Sequence, residues 1–340
     1  MTASRQPAST PASGGILIIQ TAFIGDTILA TVCIENIKKH HPDLPVDLLV
    51  RKGNESLFDQ HPHIRALYVW NKGGGKYLQL IRLLFTFRRQ RYRWCVNLQK
   101  HPTTALLSLL SGAQDTAGFT TTKFGRFYSR KVVHRFDPAK GCTHEVDLLL
   151  RVSEGAAPVE ERVLPRLYPQ SADIEAVATT SPYVTIAPAS VRFTKQYPAE
   201  KWIAAIDLIS HDTTVYLLGG ASERKLCESI RERSPHPKVI NRAGELSFLQ
   251  SAALMKGAMM NYVNDSAPLH LASSVDAAVT AVFCSTVPAF GFGPLGGNSR
   301  IVETEEPLTC RPCGLHGHRA CPQGHFRCAA IPPEAVITGR

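Results

Sequence analysis

Short runs of branched apolar residues alternate with segments of helical period along the chain. In the first half this pattern predicts strands at 16–20, 46–50, 66–70 and 94–98, with a weaker one at 131–133. Helices are predicted over 26–40, 76–91, 102–111 and 143–153. Residues 155–182 are rich in Pro and small residues and interrupt the alternation, with 166–182 as the link itself. The pattern then restarts. Strands are predicted at 183–187, 214–219, 238–240, 258–263 and 278–283, and helices at 199–210, 222–233, 246–255 and 267–274. Two βα series in succession predict an α/β protein of two doubly wound domains, at 15–165 and 183–309, facing a central cleft. No short-period solenoid repeat is present.

At 340 residues the chain is long enough for two ordinary domains. No apolar run approaches the ~18 residues of a membrane span. Residues 1–14 are Ser-, Thr-, Ala- and Pro-rich with one Arg and lack the apolar core of a signal peptide. They predict a disordered tail on a cytoplasmic protein.

Charge divides the halves. Residues 1–170 hold 23 Lys and Arg against 13 Asp and Glu, whereas 171–340 hold 15 of each. The surplus is densest in KYLQLIRLLFTFRRQRYRW (76–94), where Leu80, Leu83, Leu84 and Phe87 repeat at helical spacing and arginines crowd the end. That is either a core helix with a solvated, dipole-favoured terminus or a surface for an anionic partner. No nucleic-acid-binding motif accompanies the charge, so a nucleic-acid partner is not expected.

Three segments carry candidate chemistry. ILIIQ (16–20) runs into TAFIGDTILAT, where Gly25 permits a tight turn and Asp26 opens a helix. A carboxylate there is a helix cap or, in a cleft, a general base. GxGxxG is lacking, so a dinucleotide fingerprint is not supported. The second segment is the loop after strand 183–187, with Ser190, Thr194 and Lys195 before a helix opened by Pro198. It reads as a phosphate-holding loop or as a surface loop with a solvated lysine. The third is YVNDSAPLH (262–270), a strand end, a cap and a helix start. Asp265 and Ser266 can cap the helix, and the N–H groups left free at its start, that of Ala267 among them, could receive an anion with His270 one turn on; otherwise the element is an ordinary capped helix.

These segments together resemble the heptosyltransferases of glycosyltransferase family 9. The likeness covers nearly everything after residue 15 and rests on GDTILAT (25–31), KQYP (195–198) and NDSAPLH (264–270). The tail CRPCGLHGHRACPQGHFRC (310–328) is similar to that of the heptosyltransferase II branch. The chain departs from the family pattern at Val32 (usually Pro), Ala267 (usually Gly), Asp276 (commonly Gly) and in CSTVPAFGFGP (284–294), which replaces a Gly-Pro-Thr-Asp stretch.

The resemblance implies a GT-B architecture of two Rossmann-like domains, the N-terminal one for the acceptor and the C-terminal one for the nucleotide sugar. It implies inverting, metal-independent transfer of heptose from ADP-heptose to an anionic lipopolysaccharide inner-core acceptor, with no cofactor required. Asp26 would be the base. Lys195 and the N–H groups at Ser266 and Ala267 would stabilise the departing diphosphate, helped by Ser190 and Thr194. Asp265 would orient the loop or the sugar, His270 would contact phosphate or sugar, and Glu223 is a candidate for the ribose. Peripheral contact with the cytoplasmic face of the inner membrane is a further expectation. The alternatives are a same-fold transferase with another nucleotide sugar or glycan acceptor, and a binding protein without turnover.

Nine cysteines remain, and four of them fall in segment 310–340. Cys310, Cys313, Cys321 and Cys328 have the spacing C-x2-C-x7-C-x6-C, which is compatible with a structural zinc or with reduced thiols packing a loop. Cys33, Cys95, Cys142, Cys227 and Cys284 are assigned to predicted helices or strands and read as core.

Overall fold

A computed structural model describes residues 14–73 and 75–338; the expected N-terminal tail lies, but for Gly14, outside the described residues. The chain divides into two compact units after Tyr168. In the first, β1 (Ile16–Ile19), β2 (Val46–Arg51), β3 (Ala66–Trp70), β4 (Trp94–Asn97), β5 (Asp115–Phe119) and β6 (Arg130–Val132) form one sheet. Its helices are α1 (Ile24–Leu29), α2 (Thr31–His40), α3 (Lys76–Gln90), α4 (Pro102–Leu110) and α5 (Glu145–Ser153). In the second unit the strands are β7 (Tyr183–Ala187), β8 (Thr214–Leu217), β9 (Val239–Asn241), β10 (Asn261–Asn264), β11 (Val279–Phe283) and β12 (Ser299–Glu303). The helices there are α6 (Ser171–Glu175), α7 (Ala199–Asp207), α8 (Arg224–Arg233), α9 (Phe248–Gly257), α10 (Ala267–Ser273) and α11 (Pro333–Thr338).

Both sheets are parallel throughout, in the orders β3-β2-β1-β4-β5-β6 and β9-β8-β7-β10-β11-β12. The two orders are the same doubly wound topology used twice. Each reverses direction at its centre, between β1 and β4 and between β7 and β10. Loops leaving the carboxyl ends of those strands diverge there, which is where open α/β sheets hold ligands. The central strands are buried on both faces, as helices on both sides require, and β1 accordingly reads as an unbroken Ile/Leu run, whereas β7 (YVTIA) and β10 (NYVN) bury polar residues as well.

The predicted helix 26–40 is two helices, broken at Ala30. Thr31 explains the break: its hydroxyl donates to the Ile28 carbonyl at 2.7 Å and accepts the Arg166 N–H at 2.8 Å, an alternative to regular helical bonding. Two strands were not predicted. β5 reads DTAGF, with an Asp and a Gly that dilute the apolar signal, and β12 is a half-exposed edge strand.

A charge is buried within β2. Asp47 is fully buried yet accepts four hydrogen bonds, from Arg65 Nε (2.9 Å) and Nη2 (2.6 Å), Ala66 N (3.1 Å) and Tyr92 Oη (2.5 Å). These bonds tie β2 to the start of β3 and to Tyr92, two residues before β4. Asp47→Ala removes the acceptor of the Tyr92 hydroxyl and the carboxylate that pairs with Arg65, so it is expected to lower unfolding stability by about 2–4 kcal/mol. Urea denaturation checks this, and an unchanged midpoint would refute it.

Segment 310–340, expected to be a separate tail, contributes to the core of the second unit. Ile331 and Val336 are fully buried among Trp202, Ile206 and Tyr197. The Tyr197 hydroxyl and the Lys201 ammonium both donate to the Ile331 carbonyl, at 2.8 and 2.7 Å. Among the described residues no helix is long and apolar enough to cross a membrane.

Candidate active site

The C-terminal unit brings four loops together at the carboxyl ends of β7, β10 and β11. Asn264, the last residue of β10, is the clamp. Its Nδ2 donates to the Pro188 carbonyl at 2.8 Å and its Oδ1 accepts the Tyr197 N–H at 2.9 Å, so both ends of loop 188–197 are pinned to β10. Lys195 ends a 3-10 turn in that loop, and its ammonium stands 2.7 Å from Asp265 Oδ2. The same carboxylate oxygen accepts the Thr286 hydroxyl at 2.6 Å. Arg311 holds the loop of Thr286 from behind, donating to the carbonyls of Cys284 (2.7 Å) and Thr286 (2.8 Å) and pairing with Glu303. The lysine side chain is 17% exposed, so its charge is partly desolvated and its position fixed. An ammonium has three donors, and Asp265 engages one direction only. Such a cation at a strand end is suited to anionic oxygens.

The other expected residues are placed as follows. Ser190 is half-buried at the start of the loop, its carbonyl accepting Gln196 Nε2 at 2.5 Å. Thr194 is buried, and its hydroxyl is occupied within the protein: it accepts the His318 N–H at 2.8 Å and the Ser285 hydroxyl at 3.0 Å. Ser266 is the N-cap of α10, but its hydroxyl turns back toward the Asn264 carbonyl and makes no side-chain cap. The first helical N–H, of Ala267, therefore is not taken by that hydroxyl, and Pro268 has none to satisfy. His270 is buried, with its ring edge-on to Phe292 at 6.3 Å. Glu223 caps its own turn, accepting the Gly220 N–H at 2.8 Å after β8.

In the N-terminal unit Asp26 is the third residue of α1, half-buried, just beyond the carboxyl end of β1. Three groups in this unit, two of them at that strand end, were not singled out in the sequence. The Lys72 ammonium donates to the Thr21 carbonyl at 2.7 Å and lies over the Trp70 ring, and burial with the nearby Arg51 lowers its pKa. Gln20 and Gln99 bond across the ends of β1 and β4. On the β6 side, buried Glu145 takes His134 Nε2 at 2.9 Å and the Lys100 ammonium at 3.4 Å. Burial would raise its carboxyl pKa, but the His134 bond and the Lys100 charge outweigh that and hold it below the usual range. These residues are scattered through the first half, with no shared motif to mark them.

The zinc set that the tail's spacing suggested gains no support from the structure, although the Cys310, Cys313, Cys321 and Cys328 thiols lie near enough to act on one another electrostatically. Among the described residues no three His, Cys, Asp or Glu side chains are grouped as a metal would require. Cys328 packs into the apolar core of the unit with Ile331 and Tyr197, while Cys310 Sγ stands 3.8 Å from His325 Nε2. The tail instead supports the candidate site. Gly317 (φ +67°) lies so close that a Cβ there would fall 2.9 Å from both Lys195 Cγ and Thr194 Oγ1. Gly317→Ala is expected to cost about 2–3 kcal/mol of stability, combining backbone strain with the clash. Gly324→Ala, at φ +74° with open space around it, is the control and should cost only the backbone part, about 1 kcal/mol. Equal costs in urea denaturation would mean that the tail does not press on Lys195.

The sequence model for glycosyltransferase family 9 (heptosyltransferase) matches residues 80–318. The chain belongs to that family. It is a glycosyltransferase, and its two six-stranded parallel sheets are the Rossmann-like pair of the GT-B class. Lipopolysaccharide heptosyltransferase 3 of Escherichia coli is 25% identical over 277 residues, covering 78% of this chain and 82% of that protein. The structure of E. coli ADP-heptose lps heptosyltransferase II superposes with a TM-score of 0.77 at 17% identity, covering 95% of this chain and 96% of that one. E. coli heptosyltransferase WaaC with ADP-2-deoxy-2-fluoro heptose gives 0.69 at 17% identity, over 84% and 92%. One departure from the family pattern has a structural reading. Asp276 adopts φ +51°, a left-handed conformation that glycine takes without cost and that Asp tolerates better than most residues.

Proposed function

We propose that this family 9 enzyme transfers heptose from ADP-heptose to a lipopolysaccharide inner-core acceptor, with inversion and without a metal. The observation that carries the reading is the Lys195–Asp265 pair, fixed at 2.7 Å by Asn264, Thr286 and Arg311 at the point where the second sheet reverses. The similarity to heptosyltransferase 3 supports the sugar and the acceptor class. The likeness to E. coli ADP-heptose lps heptosyltransferase II and to E. coli WaaC with ADP-2-deoxy-2-fluoro heptose supports the donor.

In this reading the N-terminal domain takes the acceptor and the C-terminal domain the nucleotide sugar. The Asp26 carboxylate removes the proton of the acceptor hydroxyl as that oxygen attacks the anomeric carbon. The bond to the diphosphate breaks on the opposite face, which inverts the centre. Negative charge grows on the departing ADP, and Lys195 with the N–H groups at Ser266 and Ala267 stabilises it. A fixed ammonium supplies the positive charge that a divalent cation supplies in other nucleotide-sugar enzymes. Asp265 acts on Lys195 rather than on phosphate, and Thr194 on the loop, since its hydroxyl is already engaged. Ser190 and His270 are the remaining polar side chains for phosphate or sugar, and Glu223 for the ribose. The surplus of cations in the first half suits an acceptor that carries phosphates and acidic sugars, and the enzyme would meet it at the cytoplasmic face of the inner membrane.

The test is transfer by the purified chain from ADP-heptose to a heptose-deficient core lipid in the presence of EDTA. Product mass and the anomeric configuration by NMR are the readouts. A heptose-sized gain with inverted configuration is expected. No gain with ADP-heptose, and a gain with another nucleotide sugar, would keep the family and discard the sugar. Loss of turnover in EDTA, restored by a divalent cation, would discard the role given to Lys195.

A further inference from the structure

Helix α3 has two apolar faces. Leu80, Leu83, Leu84 and Phe87 pack onto the first sheet against Leu17, Leu49 and Trp70, as the sequence pattern predicted. The outward face ought then to be polar. Instead Leu78, Ile81 and Phe85 project from it, 55%, 51% and 62% exposed. The patch continues beyond α3. The Arg88 guanidinium donates to the Leu110 carbonyl at 3.3 Å and holds the end of α3 against the end of α4, whose Leu106 and Leu110 are also exposed. Large apolar side chains at helical spacing on a solvent face lose the burial that normally retains them.

The charge around this face identifies what covers it. Residues 76–110, which span α3 and α4, carry seven Lys and Arg and no Asp or Glu. Arg82 and Arg89 are exposed on α3 itself, between and beside the apolar residues. A second copy of the chain would bring the same positive field against itself. A nucleic acid would use the cations and leave the Leu, Ile and Phe side chains in water. An anionic bilayer satisfies both sets at once: the apolar side chains enter the acyl boundary while the arginines remain among the phosphates.

We propose that the outer face of α3, extended by Leu106 and Leu110 of α4, docks the enzyme on an anionic lipid bilayer. With 15 residues α3 is roughly 22 Å long, enough to lie flat in the headgroup layer as an interfacial helix and too short and too charged to cross. The inference does not depend on which sugar is transferred. It concerns a surface of the N-terminal domain only, and its test contains no nucleotide sugar.

The experiment is co-sedimentation of the full chain with phosphatidylcholine vesicles, with and without roughly one-third phosphatidylglycerol, over a salt series. Binding to the anionic vesicles alone is expected at low salt. The double variant Ile81→Glu/Phe85→Glu should weaken it by about tenfold or more, since two inserted side chains are replaced by charges of the wrong sign. Arg82→Gln/Arg89→Gln should weaken it several-fold and flatten its salt dependence while leaving the apolar residues in place. All four side chains are exposed, and an unchanged thermal midpoint verifies that folding is intact. Three results would overturn the proposal. They are no partition into anionic vesicles at low salt, binding indifferent to the glutamates, and a dimer in vesicle-free buffer that Ile81→Glu/Phe85→Glu dissociates.

Discussion

Asp26→Asn should lower the rate of transfer by about 10²–10⁴-fold while the dissociation constant for ADP stays within twofold or so of the wild-type value. The substitution exchanges a carboxylate for an amide of nearly the same shape. Backbone bonds that the substitution leaves in place hold the turn around it: the Asp26 carbonyl accepts the Ala30 N–H at 3.0 Å, and the Phe23 carbonyl accepts that of Thr27 at 3.0 Å. Asn54 secures this turn through the Thr27 hydroxyl at 2.7 Å and the Ala22 carbonyl at 3.1 Å. A general base lost from such a frame changes chemistry and not architecture. The residues proposed for the nucleotide belong to the other compact unit, with its own core, so ADP affinity is a control independent of Asp26. Retained turnover in Asp26→Asn would remove the base assignment. A parallel loss of ADP affinity would mean that the variant had lost its fold.

The strands and helices that frame this site were legible because they are buried on both sides. ILII, VYLL and YVN announce themselves as central strands by composition alone, and the helices that follow carry one apolar stripe each. What escaped the pattern was everything decided by tertiary contact. β5 and β12 pair correctly despite weak strand character because their neighbours supply the ladder. The Asp-Ser motif was visible, but Asn264 before it was not given the clamping role that two hydrogen bonds reveal. Thr194 and Lys195 are adjacent in the same loop, yet one is buried beneath the tail and the other meets Asp265, a difference that spacing does not encode. The arginines of α3 already marked it as a candidate surface for an anionic partner, but its second apolar face went unread for a related reason. A helix with one satisfactory apolar stripe raises no question about the opposite side until its exposure is known.

Lys195→Ala is expected to weaken ADP binding by about 10–100-fold, the range of a lost charge-assisted hydrogen bond in a partly desolvated site. It should weaken adenosine binding little. The contrast between the two ligands separates a phosphate contact from a collapsed loop, because a collapsed loop would reject both. The loop has reason to survive. Asn264 still pins it at Pro188 and Tyr197, and Thr194 still holds the His318 N–H. Asp265 loses its cation but keeps the Thr286 hydroxyl and lies in an otherwise unchanged frame. Its uncompensated charge would then repel the diphosphate, so part of the loss in Lys195→Ala comes from Asp265 and not from the missing ammonium. The double variant Lys195→Ala/Asp265→Asn isolates that part: ADP affinity should recover several-fold relative to Lys195→Ala alone, without reaching wild type. Full recovery would assign Lys195 the sole task of neutralising Asp265, and an unchanged dissociation constant for ADP in Lys195→Ala would take the pair out of the phosphate site altogether.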